Sequence, residues 1–475
     1  MSALPESATM KSGDAGRLLR EAWEAGRCSA AMLALSTVEV GFRMLCCYVK
    51  GSMCAAPLEG RVRRRRRVVI TGLGVLAPNG IGKKPFWDSL MAGRSGVDYI
   101  TAFDPAPYPC KVAAEIRAFK PTDFIAARKA KQMGRFSQLA VSATRLALED
   151  ARLTITPSLS PNVTVCYGSS GGGDVFEAAA MRVLEEGPTA VPPWSALEYP
   201  PHAPSSYVSI EFNITGRSMS MTSNCCTGLD ALYLGYSQIV AGEATVAVAG
   251  GSEAPLSPVA FATFCALGSL STRPCPPKEA SRPYDGLRDG LVIAEGAGTL
   301  VLEDLEFARS RGAHIYAEVL GYGSASEAMG MRKGDLSGKV MAQAISQAIS
   351  TADLTPSDID HVNAHGSSLR DFDVCDSNAF KVALGARAYS IPISSIKSMI
   401  GQPFAAAGAI QAVAACMSIE ANRVPPTINQ DVPDPACDLD YVPNVSRAAR
   451  VRNVLINGHS FGGSVAAVTI GRCAE

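Results

Sequence analysis

The sequence predicts an α/β protein assembled from two similar halves. Three observations point there: a βαβα unit that recurs after about two hundred residues, short β-branched strands alternating with Ala-rich helices from residue 68 onward, and a 47% hydrophobic content that supplies core for both copies. Only 19% of the residues are charged, and 44 Lys+Arg balance 44 Asp+Glu. Nothing global therefore draws the chain to nucleic acid or to an anionic membrane. Fourteen cysteines are scattered through apolar segments with no C-x-x-C pair. They are expected to be mostly buried free thiols in a reducing compartment, with no zinc or other metal site.

Residues 1–67 read as a poorly ordered leader that carries no chemistry. SAAMLALSTVEVGFRMLCCYV (29–49) approaches the length of a membrane span, but Glu39 and Arg43 interrupt it. Neither a stable span nor a secretory signal is expected. The leader ends in RVRRRRR (61–67), a solvated tail or, as the alternative, a basic arm for lipid or nucleic acid. Acidic residues weaken an organellar transit peptide, so a cytoplasmic location is expected.

The first half, residues 68–313, opens with RRVVITGLGVLAP (66–78), read as a strand that ends in glycines and a tight loop. Its G-L-G lacks a third glycine and a helix start, which excludes a dinucleotide cofactor. SATRLALEDARLTITPSLSPNVTVCYGSSGGG (142–173) then gives an amphipathic helix, a turn, an apolar strand and a Gly/Ser loop. SMSMTSNCCTGLDALYLGYSQIVAGEATVAVAGG (218–251) gives a short strand, a turn, an Ala-rich helix and a buried strand. The second half, residues 314–475, repeats this grammar in MAQAISQAISTADLTPSDIDHVNAHGSS (341–368) and YSIPISSIKSMIGQPFAAAGAIQAVAACMSIEANRVPP (389–426). Runs such as ATVAVAGG and NVTVCYG suit parallel strands buried on both faces.

Equivalent loops of two such halves face each other, and that gathers the candidate chemistry. Cys225 and Cys226 lie at a turn into a helix in one half; His365, Lys397 and Gln402 lie in loops of the other. A thiol at a helix N-terminus is expected to have a lowered pKa, while a neutral imidazole and a carboxamide can donate to a developing oxyanion. His202, His314 and His361 have no motif around them and read as surface or structural residues. Cys226, Cys265 and Cys416 read as small core residues.

At five ordered motifs the chain resembles the β-ketoacyl-[acyl-carrier-protein] synthases of the thiolase-like superfamily. RVVITGLGVLAPNGIG resembles their opening strand, and SRPYDGLRDGLVIAEGAGTLVLE, NAHGSS, SSIKSMIGQPFAAAGA and INGHSFGGS resemble their later blocks. The resemblance implies a layered αβαβα fold and a decarboxylative condensation of a malonyl-carrier with an acyl chain held on cysteine, in fatty acid or polyketide synthesis. It implies Cys225 as nucleophile, with Cys226 at a packing position, His365 as the first histidine, and Lys397 as the lysine of the polar network. Asp373 and Asp376 match acidic positions, Asp376 as a candidate partner of Lys397. Phe461 matches a residue that gates the acyl pocket. No resident cofactor is implied, because the acyl carrier protein brings its own phosphopantetheine. The carrier is the implied partner, together with a homodimer or a heterodimer with a paralogue. Arg128, Lys129, Lys131 and Arg135 resemble a carrier-binding basic face, which is also how a solvated helix face reads.

The departures are as informative. Gln402 stands where the family has its second histidine; it can donate a hydrogen bond but cannot exchange a proton. Leu369 replaces a threonine of the pantetheine contact, leaving Ser367 as the hydroxyl there. Gln411 replaces a common glutamate, and His459 replaces the first phenylalanine of the glycine-rich close. A chain-length-factor-like or catalytically modified partner of an active synthase is therefore the alternative reading. A coenzyme A thiolase would need a second cysteine in NGHSFGGS, which has none. Residue types alone would also fit a Cys-His-Gln hydrolase, but the motif order does not support one.

Overall fold

The structure, a computed structural model, describes residues 66–474. All but the last two leader residues lie outside the described residues, and the expectations for that segment lie there with them. Five strands along the path of the large sheet come from the first half: β1 (Val68–Ala77), β2 (Val163–Gly168), β3 (Ser218–Met221), β4 (Val246–Glu253) and β5 (Gly296–Asp304). Five come from the second: β6 (Ala317–Ser326), β7 (His361–Asn363), β8 (Ile393–Ser394), β9 (Asn453–His459) and β10 (Ser464–Gly471). The lateral order is β3-β2-β4-β5-β1 in one half and β8-β7-β9-β10-β6 in the other, the same permutation twice. Strand directions repeat as well. β2 is parallel to β3 and β4, β7 is parallel to β8 and β9, and β5 and β10 pair antiparallel on both sides. β1 and β6 pair through Val69–Glu318 and Ile70–Ala317, and Gly80–Ile81 adds an eleventh strand on β1.

The principal helices repeat too. α1 (Arg135–Asp150) covers β1, β4 and β5, and its counterpart α3 (Lys339–Ser350) covers β6, β9 and β10. α2 (Thr227–Ala241) and α5 (Ala407–Ala421) pack against each other and against strands of both halves, while α4 (Arg370–Leu384) lies against α3. The result is the layered αβαβα arrangement. α5 is apolar all round, with Ala407 through Ile419 buried, as a helix inside two layers must be. The longer Phe404–Ala421 segment has the length and apolarity of a membrane span and is 89% buried within the fold.

Glycine placement shows why the halves close so tightly. A Cβ on Gly228 would sit 2.5 Å from the Ala409 nitrogen, and one on Gly408 2.7 Å from the Leu229 nitrogen, so α2 and α5 meet backbone to backbone. The G-L-G of β1 does not end the strand, contrary to the sequence reading. β1 continues to Ala77, and a Cβ on Gly72 or Gly74 would fall 2.2 or 1.9 Å from the carbonyls of Ala147 and Ala143 on α1. Gly321 and Gly323 of β6 do the same against Ala348 and Ala344 of α3, at 2.2 and 2.1 Å. β2 and β4 are buried along their whole lengths, as expected for the parallel strands.

Candidate active site

Cys225 lies in the short turn Asn224–Cys226 that leads into α2. Asn224 takes the left-handed backbone conformation (φ 53°) there, which an Asx side chain tolerates. The thiol is 2% exposed, and the Gln402 Nε2 donates to its Sγ at 3.0 Å. Burial pushes the Cys225 pKa up to about 12; the Lys397 charge and the Gln402 hydrogen bond pull the other way, and Glu253 adds to the rise. This corrects the expectation of a thiol acidified by the helix start. α2 begins two residues later, and loss of water around a thiolate outweighs what the helix end offers. Cys225 rests as a thiol. Cys226 turns into the core: its N–H donates to Ser460 Oγ at 3.0 Å and its thiol to the Ser464 carbonyl at 3.3 Å.

The second half supplies the polar groups. His365 follows β7, buried, and the His459 main-chain N–H donates to its Nδ1 at 3.2 Å. That bond occupies Nδ1 as an acceptor and leaves Nε2 to carry the proton. Burial, the Lys397 charge and His459 hold the imidazole far below its usual pKa, so it is neutral at working pH. Lys397 Nζ donates to the His365 carbonyl at 2.6 Å and to Gln411 Oε1 at 3.2 Å, and burial lowers its pKa to about 8.

Asp376, read from sequence as a candidate partner of Lys397, acts on it through charge, raising its pKa, and makes no hydrogen bond to it. Its carboxylate accepts the Gly366 N–H at 2.8 Å, the Tyr284 hydroxyl at 3.1 Å and the Asn457 Nδ2 at 2.9 Å, which spends its acceptors elsewhere. Asp373 accepts the N–H groups of Ser367, Ser368 and Tyr284 at 2.9, 3.2 and 2.8 Å, with Arg288 3.3 Å away. Together they moor the loop after His365 to the RPYDGLRDG segment. Ser367 is buried, its Oγ accepting the Leu369 N–H at 3.5 Å, so that hydroxyl faces its own loop.

Gln402 is fixed by main-chain bonds on both sides: its N–H donates to the Val292 carbonyl at 2.8 Å, and its carbonyl accepts the Ala294 N–H at 3.1 Å. Its Oε1 is buried and has no hydrogen-bond partner. Phe461 packs beside the apolar cluster that holds Cys225, Phe404 and Leu369, 5.5 Å from the Phe372 ring. A cavity of about 670 Å³, lined in part by Asn224, Phe264, Phe404, Phe176, Tyr199 and Glu253, opens next to the nucleophile turn. Burial raises the Glu253 carboxyl to about 7.

The basic cluster is not one face. Arg128 and Lys131 are exposed, Lys129 pairs with Glu211 at 2.6 Å, and Arg135 turns inward onto Glu295 at 2.7 Å. Of the histidines without motifs, His202 and His314 are exposed; His361 is buried with Nε2 3.1 Å from Ser394 Oγ. The ten cysteines among the described residues are all free. Sequence reasoning missed two features. One is the Gln411 amide, which donates to the carbonyls of Asn363, Ala364 and Asn457 at 3.0–3.3 Å and so ties both loops together. The other is a buried trio, Glu327, Cys375 and His459, whose donor atoms all lie within 4.8 Å of one another. Only the departure at His459 signalled it.

Comparison with known proteins places the chain in a family. The profile described as "Beta-ketoacyl synthase, N-terminal domain" matches residues 65–308, and "Beta-ketoacyl synthase, C-terminal domain" matches residues 316–431. The tetracenomycin polyketide synthase ketoacyl synthase alpha subunit of Streptomyces glaucescens is 41% identical, over 86% of this chain and 98% of that protein. The 3-oxoacyl-[acyl-carrier-protein] synthase 2 of Coxiella burnetii is 37% identical, over 86% and 99%. Among solved structures, a type II polyketide synthase acyl-carrier protein in complex with its ketosynthase matches with a TM-score of 0.80 and 35% identity, over 86% of this chain and 100% of that one.

Proposed function

The chain belongs to the β-ketoacyl synthase family, the condensing acyltransferases of fatty acid and polyketide synthesis, and from that premise we propose that it elongates a carrier-bound acyl chain with Gln402 in place of a second histidine. The observation that carries this reading is the Gln402 amide on the Cys225 sulfur, with the neutral His365 held in one tautomer.

In the first step Cys225 Sγ attacks the acyl thioester carbonyl, the bond to the pantetheine sulfur breaks, and the leaving thiolate takes up the proton that Cys225 gives up. The Gln402 hydrogen bond and the Lys397 charge favour the transient thiolate. In the second step a malonyl thioester loses CO₂, and the electron pair left on its α-carbon passes through an enolate. The His365 Nε2–H is the protein's donor to that oxygen, and the Gln402 amide, released from sulfur by acylation, is the second. The carbon then attacks the Cys225-bound carbonyl, a C–C bond forms, and the thiolate leaves. Neither amide nor neutral imidazole changes charge, so the decarboxylation rests on hydrogen bonding, at a cost of ~10²-fold if the Gln402 donor is poorly aimed.

The carrier is an acyl carrier protein bringing its own phosphopantetheine, and no resident cofactor enters the chemistry. Exposed Arg128 and Lys131, which make no ion pair among the described residues, are the candidate contacts for its acidic surface. A homodimer or heterodimer with a paralogue, in the cytoplasm, completes the reading. The second reading, a chain-length-factor-like or non-elongating partner, is favoured by Gln402 and Leu369.

Incubation with acyl-carrier and malonyl-carrier substrates separates the two. Mass spectrometry should find the acyl group on Cys225, with CO₂ release and a product longer by two carbons; no adduct on Cys225 would sink the elongating reading. An adduct without CO₂ or condensation supports the partner reading, and a Gln402→His variant that gains decarboxylation identifies the amide as limiting.

A further inference from the structure

The geometry points to a second, structural site in this chain: Glu327, Cys375 and His459 bind a zinc ion behind the catalytic histidine. The three come from separate segments, the residue after β6, the middle of α4 and the last residue of β9. All are buried, with Glu327 7% exposed and the other two fully enclosed. Glu327 lies between the other two: its Oε1 is 3.8 Å from Cys375 Sγ and its Oε2 is 3.2 Å from His459 Nε2. In a tetrahedral zinc site with bonds of about 2.0–2.3 Å, neighbouring donor atoms are ~3.3–3.8 Å apart. The two contacts, on the two oxygens of one carboxylate, lie close to that range, and one donor atom from each residue falls within 4.8 Å of the other two. Thiolate, imidazole and carboxylate are also the donor types zinc takes.

A second observation is independent of spacing. Both ring nitrogens of His459 and Oε2 of Glu327 are buried without a hydrogen-bond partner, because the 3.2 Å contact between them is misaligned for one. Buried polar atoms left this way cost free energy that a shared cation removes. Zinc binding would release the Cys375 thiol proton to solvent and form the sulfur–metal bond in its place. A water molecule supplies the fourth ligand.

The position gives the ion a task. The His459 main-chain N–H fixes the His365 tautomer, and the His459 ring stacks on Phe372 at 4.1 Å. Clamping the His459 ring to α4 and to the end of β6 holds the strand end that orients the catalytic imidazole.

The test uses the full chain, stripped with a chelator and desalted, and zinc or cobalt(II) salts alone as probes. Elemental analysis after desalting should return one zinc per chain for the wild type and for Cys437→Ala, a control at a buried cysteine outside the trio. Cys375→Ala and His459→Phe, the second keeping a ring against Phe372, should retain none. Cobalt(II) should give a near-ultraviolet thiolate-to-metal band in the wild type that Cys375→Ala lacks. Glu327→Gln, which keeps size and fold, should weaken zinc binding at least ~10-fold even if His459→Phe fails to fold. A wild type that retains no zinc, or one whose zinc and cobalt band persist unchanged in Cys375→Ala and Glu327→Gln, overturns the site.

Discussion

Replacing Gln402 with methionine separates reactivity from stability at the nucleophile, because the two ends of the amide do opposite things. Nε2 donates to Cys225 Sγ at 3.0 Å, while Oε1 is buried without a partner. A hydrogen bond to a charged group contributes ~1.5–3 kcal/mol. Less the ~0.5–1.5 kcal/mol that the same bond gives the neutral thiol, the differential is ~1–1.5 kcal/mol, so at 1.36 kcal/mol per unit its loss raises the Cys225 pKa further, by about one unit. At any fixed pH below that pKa the thiolate fraction falls ~10-fold, and iodoacetamide labelling of Cys225, followed by peptide mass spectrometry, should slow by ~3- to 10-fold, since the more basic thiolate is intrinsically more nucleophilic. The orphaned oxygen works the other way. Removing it recovers ~1–3 kcal/mol, against ~0.5–1.5 kcal/mol lost with the bond to the neutral thiol, so the variant should be as stable as the wild type or up to ~2 kcal/mol more stable. That corresponds to a melting temperature unchanged or higher by ~1–2 °C for a chain of this size. Labelling of the variant at the wild-type rate would show that the amide does not serve the sulfur and would refute the reasoning.

Three further outcomes test the frame around that site. His361 is buried with its pKa lowered to about 3, so the unfolded chain binds the proton first as pH falls through 6.5 and stability drains away. Denaturation measured at pH 7 and pH 5 should show the wild type losing ~2 kcal/mol more than His361→Gln, other groups cancelling in the difference; parallel losses would contradict a buried neutral imidazole. Gly74→Ala and Gly323→Ala drive a Cβ to 1.9 and 2.1 Å from helix carbonyls, and each should cost more than ~3 kcal/mol and yield little soluble protein. Asp373→Asn should cost about 3 kcal/mol and lower turnover, since both carboxylate oxygens face N–H donors and an amide NH₂ must oppose one set in either orientation. Unchanged melting and turnover would remove Asp373 from the scaffold of the His365 loop.

Much of this was legible in the residues. The repeated helix, turn, strand and loop grammar announced the duplication, because hydrophobic period and turn chemistry are local properties of the chain. Motif order singled out Cys225 over Cys226, and the equivalence of the loops foretold that Gln402 would reach it, as its amide does at 3.0 Å. The glycines of GLG were read as a loop because their real purpose, contact with carbonyls of α1, involves residues about seventy positions away.

What sequence alone determined, then, is the fold type, its duplication and the family, since those depend on residue order and periodicity. The tertiary structure decided how the groups are charged and whom they touch. Enclosure turned an expected acidic thiol into a resting one with its pKa pushed up to about 12, and it gave the hydrogen bonds of Asp376 to Gly366, Tyr284 and Asn457, leaving only its charge to act on Lys397. It also brought Glu327, Cys375 and His459 within 4.8 Å, although 48 and 84 positions separate them along the chain. Desolvation and hydrogen-bond partnership depend on every segment packed around a group, and no window of sequence contains them.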